Sequence, residues 1–241
     1  MCKHECELLT NEIPRGVRIP ISVHINGSFP CPLYRAFDKE EYACSFVEQG
    51  IFQLRLLSRY CAIEDEIRKD RDEGVGRLVI NTNRPVVTID KNSGDILSQT
   101  DEYGPVYFST SAINHRYILC FSGPEVDLEY LASQYGKYVV CLNQPNELVS
   151  DIAHYLEQNP IVLGDTWLDC VQVRYDKGLL ISELPEPASE ERLSLSYAQK
   201  APEFNRDCEY RLVLTPSFAG NSPKAEIKFE LHKRLECAEI L

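Results

Sequence analysis

Short strand-like runs, most of them joined by turns of hairpin length, outnumber helical segments and constrain the fold of this chain most strongly. The run 116–122 is apolar almost throughout, as is typical of a central strand. Segments 138–142 and 209–214 have the same strand character, whereas helical patterns are few and clustered. We therefore predict an α+β fold: a single domain over residues 31–241 with a mixed, mainly antiparallel sheet and a few flanking helices. Residues 1–30 are then an N-terminal extension packed on that core.

Capping and turn residues predict where the helices begin and end. Asp38 followed by Glu41 matches a capping box, and Gly50 is placed to end the helix that follows. Pro124 and Pro145 each stand where proline favours the first turn of a helix. The sequence therefore predicts helices that begin after Asp38, at Pro124 and at Pro145, and a further helix over residues 189–201 with Lys200 at its solvated end.

The charge balance and the cysteine usage limit the class of protein. The 241 residues include 25 Lys and Arg against 37 Asp and Glu, a formal net charge of −12. Such an acidic chain lacks the broad basic footprint of a duplex-DNA binder. We find no apolar run of membrane-spanning length and no secretory signal at the start. Several of the ten cysteines lie inside apolar runs, so we predict a cytoplasmic protein with free thiols and no membrane association.

Metal-binding patterns are weak in this sequence. The triplet Cys2-x-His4-x-Cys6 has no CxxC pair elsewhere to complete a zinc site, so we predict no bound metal. The acidic segment 64–73 has two interpretations. Its carboxylates are suited to a divalent cation, and they are also balanced by nearby arginine and lysine in the manner of a solvated loop.

The pair Glu226-x-Lys228 lies on a strand-like stretch near the end of the chain. In metal nucleases an acid and an E-x-K pair on one strand face support a cation and a water nucleophile, because residues two apart point the same way. A metal-dependent nuclease is therefore one of the functions that the sequence leaves open.

Three stretches carry polar residues within or at the end of apolar strands: 33–37 (LYRAF), 118–122 (ILCFS) and 197–212, which ends in EYRL. Together with the acidic segment 64–73, their order resembles an uncharacterised family of bacterial and phage-associated domains. That family has an early L-Y-R strand, an acidic stretch, a C-F-S strand and a late K…F…E-Y-R stretch. The resemblance covers most of residues 31–215. The same layout is similar to that of the ADP-ribosyltransferase superfamily.

The resemblance implies a cleft for NAD, used as substrate. Arg35, Ser122 and Glu209 match the early basic residue, the middle-strand serine and the late catalytic glutamate. A carboxylate beside the ribose would stabilise the oxocarbenium charge that develops when the glycosidic bond breaks. Aromatic stacking and guanidinium–phosphate contacts would hold the dinucleotide. The residues matched to that binding role are Tyr34, Tyr60, Arg68 and Arg211.

Each of the three matched catalytic residues also has an ordinary structural interpretation. Arg35 is placed to pair with Asp38 or Glu41 and fix the start of a helix. Ser122 is placed to cap the helix expected after Pro124. Glu209 and Arg211 share a strand face and are placed to form a structural cross-strand ion pair.

Two principal functions therefore remain, beside the nuclease. The first is an NAD-using ADP-ribosyltransferase-like or NAD-hydrolysing enzyme in bacterial or phage defence, counter-defence or toxin action, with a macromolecular acceptor. The second is a non-catalytic binding or regulatory protein whose acidic surface engages a basic partner. The enzyme requires Arg35, Ser122 and Glu209 to line one hollow large enough for a dinucleotide.

Overall fold

The computed structural model describes residues 22–61, 75–82, 86–89, 95–100, 104–111, 116–159, 163–175, 180–181, 196–218 and 225–241. It is a mixed α+β fold with a mainly antiparallel sheet and few helices, which confirms the predicted fold class. The strands are β1 (Val23–Asn26), β2 (Leu33–Phe37), β3 (Ile51–Leu56), β4 (Val75–Thr82), β5 (Val86–Ile89), β6 (Ile96–Thr100), β7 (Gly104–Ser111), β8 (Tyr117–Ser122), β9 (Tyr138–Leu142), β10 (Leu163–Gln172), β11 (Leu180–Ile181), β12 (Glu209–Phe218), β13 (Glu226–Glu230) and β14 (Ala238–Ile240). The helices are α1 (Glu40–Gln49), α2 (Leu57–Cys61), α3 (Leu128–Tyr135) and α4 (Pro145–Gln158), with 3-10 helices at Ser196–Ala198 and Pro202–Asp207.

The largest sheet has nine strands, with the order β1-β10-β12-β8-β2-β9-β14 and with β3 joining β8 and β13. Within this sheet the pair β1–β10 is parallel and the other pairs are antiparallel. Two smaller sheets, β11-β4-β7 and β5-β6, are formed by other described strands. Strand β1 belongs to the large sheet, so the end of the predicted N-terminal extension is a strand at its edge.

Strand β8 is the central strand that its apolar run predicts. It pairs with β12 along its whole length, and on its other side with β3 at its start and with β2 at its end. Ile118 and Leu119, which point to opposite faces, are both fully buried. Because other parts of the protein pack on both faces of β8, its sequence is continuously apolar and does not alternate between apolar and polar residues.

The two faces of the large sheet pack against different elements. One face, here called the core face, carries Leu119 and Phe121 and packs with Phe46 of α1 and Ile152 of α4 in the main hydrophobic core. The opposite face, here called the site face, carries Ile118 and two smaller clusters, which include residues of α3 and of the first 3-10 helix. Because neighbouring residues of a strand alternate between faces, the register of each strand assigns its side chains to one face or the other.

The start of α1 differs from the capping-box prediction. The N-cap residue is Lys39, whose side chain makes no capping hydrogen bond, so the predicted cap at Asp38 is wrong. Glu40 and Glu41 occupy the first turn, where their negative charge favours the positive end of the helix dipole. The predicted end is confirmed, because Gly50 takes the left-handed conformation (φ 62°) and its N–H donates to the carbonyl of Phe46.

The start of α3 also differs from the prediction. Pro124 lies in a turn, and the helix begins at Leu128. The carboxylate of Asp127 caps it by accepting from the N–H groups of Glu129 and Tyr130 at 2.9 and 3.1 Å. Ser122 is therefore not the cap of this helix, which removes one structural interpretation of that serine.

Phe229 provides a test of the main core. Its side chain is 0 % exposed and stacks on Phe52 with ring centroids 5.2 Å apart. We expect Phe229→Ala to lower the free energy of unfolding by about 3–5 kcal/mol, because it removes buried apolar surface and leaves a cavity. Urea unfolding followed by circular dichroism measures this change. Tyr42→Ala removes a ring that is 51 % exposed and should change stability far less; equal losses would contradict the described packing.

Candidate functional site

A buried group of four charged side chains lies on the site face at the start of β12. The carboxylate of Glu209 accepts from Nε of Arg211 at 2.6 Å and lies 2.7 Å from Nζ of Lys200. Lys200 Nζ is also 3.6 Å from Oδ2 of Asp207. All four residues are buried. Two cations and two carboxylates balance one another, so the group, here called the Glu209 cluster, is close to neutral.

Hydrogen bonds tie the Glu209 cluster to the elements around it. Arg211 donates to the backbone carbonyl of Tyr197 at 2.5 Å, which fixes the first 3-10 helix to β12. The hydroxyl of Tyr130 in α3 donates to Oδ1 of Asp207 at 3.1 Å. The hydroxyl of Tyr175 accepts from the backbone N–H of Glu209 at 2.8 Å. The cluster thus joins β12, α3, the 3-10 helices and the end of the β10 segment.

The electrostatic setting holds Glu209 in its charged form. Burial acts to raise the pKa of this carboxyl, but the charges of Arg211 and Lys200 and their hydrogen bonds outweigh it and hold the pKa well below the ordinary range. Burial raises the pKa of the neighbouring Cys120 thiol and of the Tyr175 hydroxyl, and both groups therefore stay neutral near neutral pH. Glu209 is accordingly a fixed negative charge and not a proton donor.

The structure brings two of the three predicted catalytic residues together. Ser122 of β8 lies directly opposite Glu209 of β12, so both lie on the site face, and Ser122 is buried. Arg35 of β2 pairs in register with Val140, which belongs to the main core. Arg35 is therefore on the core face, on the other side of the sheet from Ser122 and Glu209.

The guanidinium of Arg35 has contacts of its own on that side. Its Nη1 donates to the backbone carbonyl of Cys120 at 2.6 Å, and its Cζ lies 5.4 and 5.9 Å from the ring centroids of Phe37 and Phe121. These contacts place it where β2 and β8 meet. Glu41, one of the two partners considered for Arg35, pairs with Lys39 at 3.5 Å.

The four predicted NAD-binding residues do not all lie at the Glu209 cluster. Arg211 belongs to the Glu209 cluster. Tyr34 pairs in register with both Ser122 and Cys141, and it packs on the site face beside α3. Tyr60 is part of α2, but its side chain lies outside the described residues, as does the whole of Arg68.

A shallow depression of about 580 Å³ lies at the start of α1, away from these residues. None of the predicted site residues lines it. Its lining residues are Asp38, Lys39, Glu40, Glu41, Cys44, Lys137 and Tyr138.

The motif considered for a nuclease is engaged in surface ion pairs. Glu226 lies 3.7 Å from Arg55 of β3, and Lys228 lies 2.5 Å from Glu230 on the same strand. Over the described ranges, no three His, Cys, Asp or Glu side chains gather as metal ligands. The acidic segment 64–73 lies outside those ranges, as does the triplet at residues 2–6.

Two members of the Glu209 cluster, Lys200 and Asp207, are not among the site residues that the sequence predicts. The sequence suggests a solvated helix end for Lys200, but this side chain is buried between Asp207 and Glu209. A lysine followed by alanine and proline gives no sign of burial. Strand alternation gives a signal for Glu209 and Arg211 alone, because Asp207 ends the second 3-10 helix before β12 begins. Glu209 and Arg211 do form an ion pair, but it lies within β12 and does not cross between strands.

Comparison with family models, with curated proteins and with solved structures gives no significant match to this chain. In the part of the chain that the structure describes, no helix has the length and apolar character needed to cross a membrane. The function is therefore argued from the arrangement of the side chains alone.

Replacing Glu209 tests the energetic role of the cluster. We expect Glu209→Gln to lower the free energy of unfolding at pH 7 by about 3–5 kcal/mol, because it leaves the buried charges of Lys200 and Arg211 without their closest anion. Chemical denaturation measures the loss. Glu226→Gln removes a half-exposed carboxylate from a 3.7 Å pair and is the matched control; we expect it to cost at most about 1 kcal/mol.

The pH dependence of stability gives a second measurement on the same carboxylate. The pKa of Glu209 is lower in the folded protein than its ordinary value of 4.5. Its contribution is therefore complete above that value and is lost as the pH falls toward the folded-state pKa. We expect the stability difference between wild type and Glu209→Gln to be constant above about pH 5.5 and to shrink at lower pH. A difference that grows on acidification would contradict the assigned charge state.

Proposed function

We propose that this chain is a binding or regulatory protein that engages a basic partner through an acidic surface beside the Glu209 cluster. The observation that carries the proposal is a set of exposed carboxylates where α3 meets the second 3-10 helix. Glu125, Asp127 and Glu129 lie in the turn before α3 and in its first turn, and Glu203 lies in that 3-10 helix. We call these four residues the acidic surface.

The acidic surface has four carboxylates and one exposed cation beside them, Arg206 of the second 3-10 helix. Some exposed acids elsewhere in the described residues pair with bases, as Glu41 does with Lys39 and Glu48 with Arg234. Among the described residues, Glu125, Glu129 and Glu203 have no ion-pair partner. Uncompensated carboxylates attract a basic partner and raise its rate of association.

The Glu209 cluster gives this surface a rigid support. Tyr130 of α3 is bonded to Asp207, and the guanidinium of Arg206 lies 4.1 Å from the ring centroid of the same tyrosine. These two contacts hold α3 against the 3-10 helix, so the backbone positions that carry the carboxylates are fixed. Fixed positions lower the ordering cost of binding. In this proposal the buried charges have a structural role and take no part in catalysis.

Charge reversal tests the proposal. We expect Glu125→Lys combined with Glu129→Lys to weaken binding of a fluorescent oligo-lysine peptide by about tenfold or more, because each substitution replaces an attraction with a repulsion. Fluorescence anisotropy at low salt measures the affinity. Wild-type binding should itself fall as salt is added, since exposed charges are screened.

The control variant changes the net charge equally at other positions. Glu157→Lys combined with Glu236→Lys alters two exposed acids, on α4 and in the turn before β14. A general effect of net charge would weaken peptide binding by the same factor in both double variants. That result would contradict a role for the acidic surface in particular.

A second candidate function is an NAD-using enzyme of the ADP-ribosyltransferase type. It is favoured by the position of Ser122 opposite Glu209 and by the permanent charge of that carboxylate. A fixed negative charge is what an oxocarbenium-like transition state needs beside it. Lys200 and Arg211 would supply positive charge for NAD phosphates, in place of Arg35 on the other face.

Nicotinamide release tests this second candidate. Incubation with NAD should release free nicotinamide, detected by chromatography, and both Glu209→Gln and Ser122→Ala should reduce the release by at least about a hundredfold. Circular dichroism shows whether each variant is folded. Absence of release by the wild type, with or without added protein acceptors, would leave the binding function alone.

A further inference from the structure

We propose that Cys31 and Cys141 are an oxidation-sensitive thiol pair that closes into a reversible disulfide. The geometry that points to it is a shared contact with one residue. The thiol of Cys31 donates to the backbone carbonyl of Asn143 at 2.5 Å. The thiol of Cys141 donates to the side-chain oxygen of the same asparagine at 3.2 Å. Two sulfur atoms thus lie against a single residue from two different segments of the chain.

The two thiols differ in access to solvent, which sets the order of reaction. Cys31 is exposed, whereas Cys141 is only 4 % exposed. Burial, the charge of Glu239 and the nearby Cys31 thiol together raise the pKa of Cys141. A protonated, buried thiol reacts slowly with an oxidant in solution, so Cys31 is the sulfur that reacts first.

The chemistry requires a peroxide as oxidant. Hydrogen peroxide converts the Cys31 thiol to a sulfenic acid and is reduced to water. The sulfur of Cys141 then attacks the sulfur of Cys31, the S–O bond breaks, and a second water leaves with the proton of the Cys141 thiol. Two thiols have lost two hydrogens and gained one S–S bond. Such a bond in a reducing compartment is transient, and a dithiol reductant reverses it.

The two cysteines lie in neighbouring segments, and both thiols contact Asn143. Cys141 is held in β9, between β2 and β14. Cys31 lies in the connection from β1 to β2, outside either strand. Forming the bond breaks both thiol contacts with Asn143. The amide of Asn143 also donates to Glu239 of β14 at 2.9 Å. Oxidation of the two thiols therefore changes the contacts of a residue that is bonded to the edge strand β14.

Peptide mapping of the full chain tests the proposal. The protein is treated with a small excess of hydrogen peroxide, alkylated and digested without reduction. Trypsin leaves Cys31 in peptide 19–35 but leaves Cys141 and Cys170 together in peptide 138–174, so a second cleavage before Asp151 separates them. We expect a linked peptide joining 19–35 to 138–150 by mass spectrometry, absent before treatment and lost on adding dithiothreitol.

Three variants complete the test. In Cys31→Ser, which changes an exposed residue, Cys141 should stay reduced at the same peroxide dose. In Cys141→Ser, Cys31 should accumulate as a sulfenic acid that reacts with dimedone. Cys170→Ser, a half-buried thiol on β10, should leave the yield of the linked peptide unchanged.

Either of two results overturns the proposal. One is oxidation of Cys31 to higher acids, or its linkage to another cysteine, without any link to Cys141. The other is equal oxidation of Cys141 in the Cys31→Ser variant, which would remove the assigned order of reaction. Neither result depends on which partner the acidic surface binds.

Discussion

The contact of Lys200 and Arg211 with one carboxylate of Glu209 is the interaction on which the arrangement of the site face depends. Burying any one of these charges alone would cost several kcal/mol, so each requires the others. Because Lys200 lies just before the second 3-10 helix while Glu209 and Arg211 lie on β12, satisfying the charges brings an irregular segment onto the sheet. The hydrogen bond from Arg211 to Tyr197 extends the same constraint to the first 3-10 helix.

Hydrophobic patterning predicted the strands well, because a buried strand must be apolar wherever it is covered. The runs that became β8 and β9 were visible for that reason, and Gly50 was visible because a left-handed residue ends α1. Helix starts were harder to predict. Several residues before α1 and α3 are able to cap, and geometry outside the local sequence selects among them: the connections from β2 and β8 set where each helix begins.

The candidate site was predictable only in part, for a similar reason. Alternation along β12 placed Glu209 and Arg211 on one face, and pairing with β8 added Ser122. No local pattern shows which face of β2 carries Arg35, because a register shift of one residue exchanges the two faces. The burial of Lys200 was equally hidden, since it depends on acids contributed by a later turn and strand.

The neutrality of the Glu209 cluster bears on the choice between binding and catalysis. An active site accelerates a reaction when its charged groups are positioned to stabilise the transition state. Such a site needs space for a substrate beside those groups. In the Glu209 cluster both cations already face carboxylates, and Ser122, directly across from Glu209, is buried. Among the described residues, Glu125, Glu129 and Glu203 have no ion-pair partner, and they lie on the outside of the elements that the cluster fixes. Compensation of charge within the cluster and uncompensated carboxylates outside it favour the proposed binding function over catalysis at Glu209.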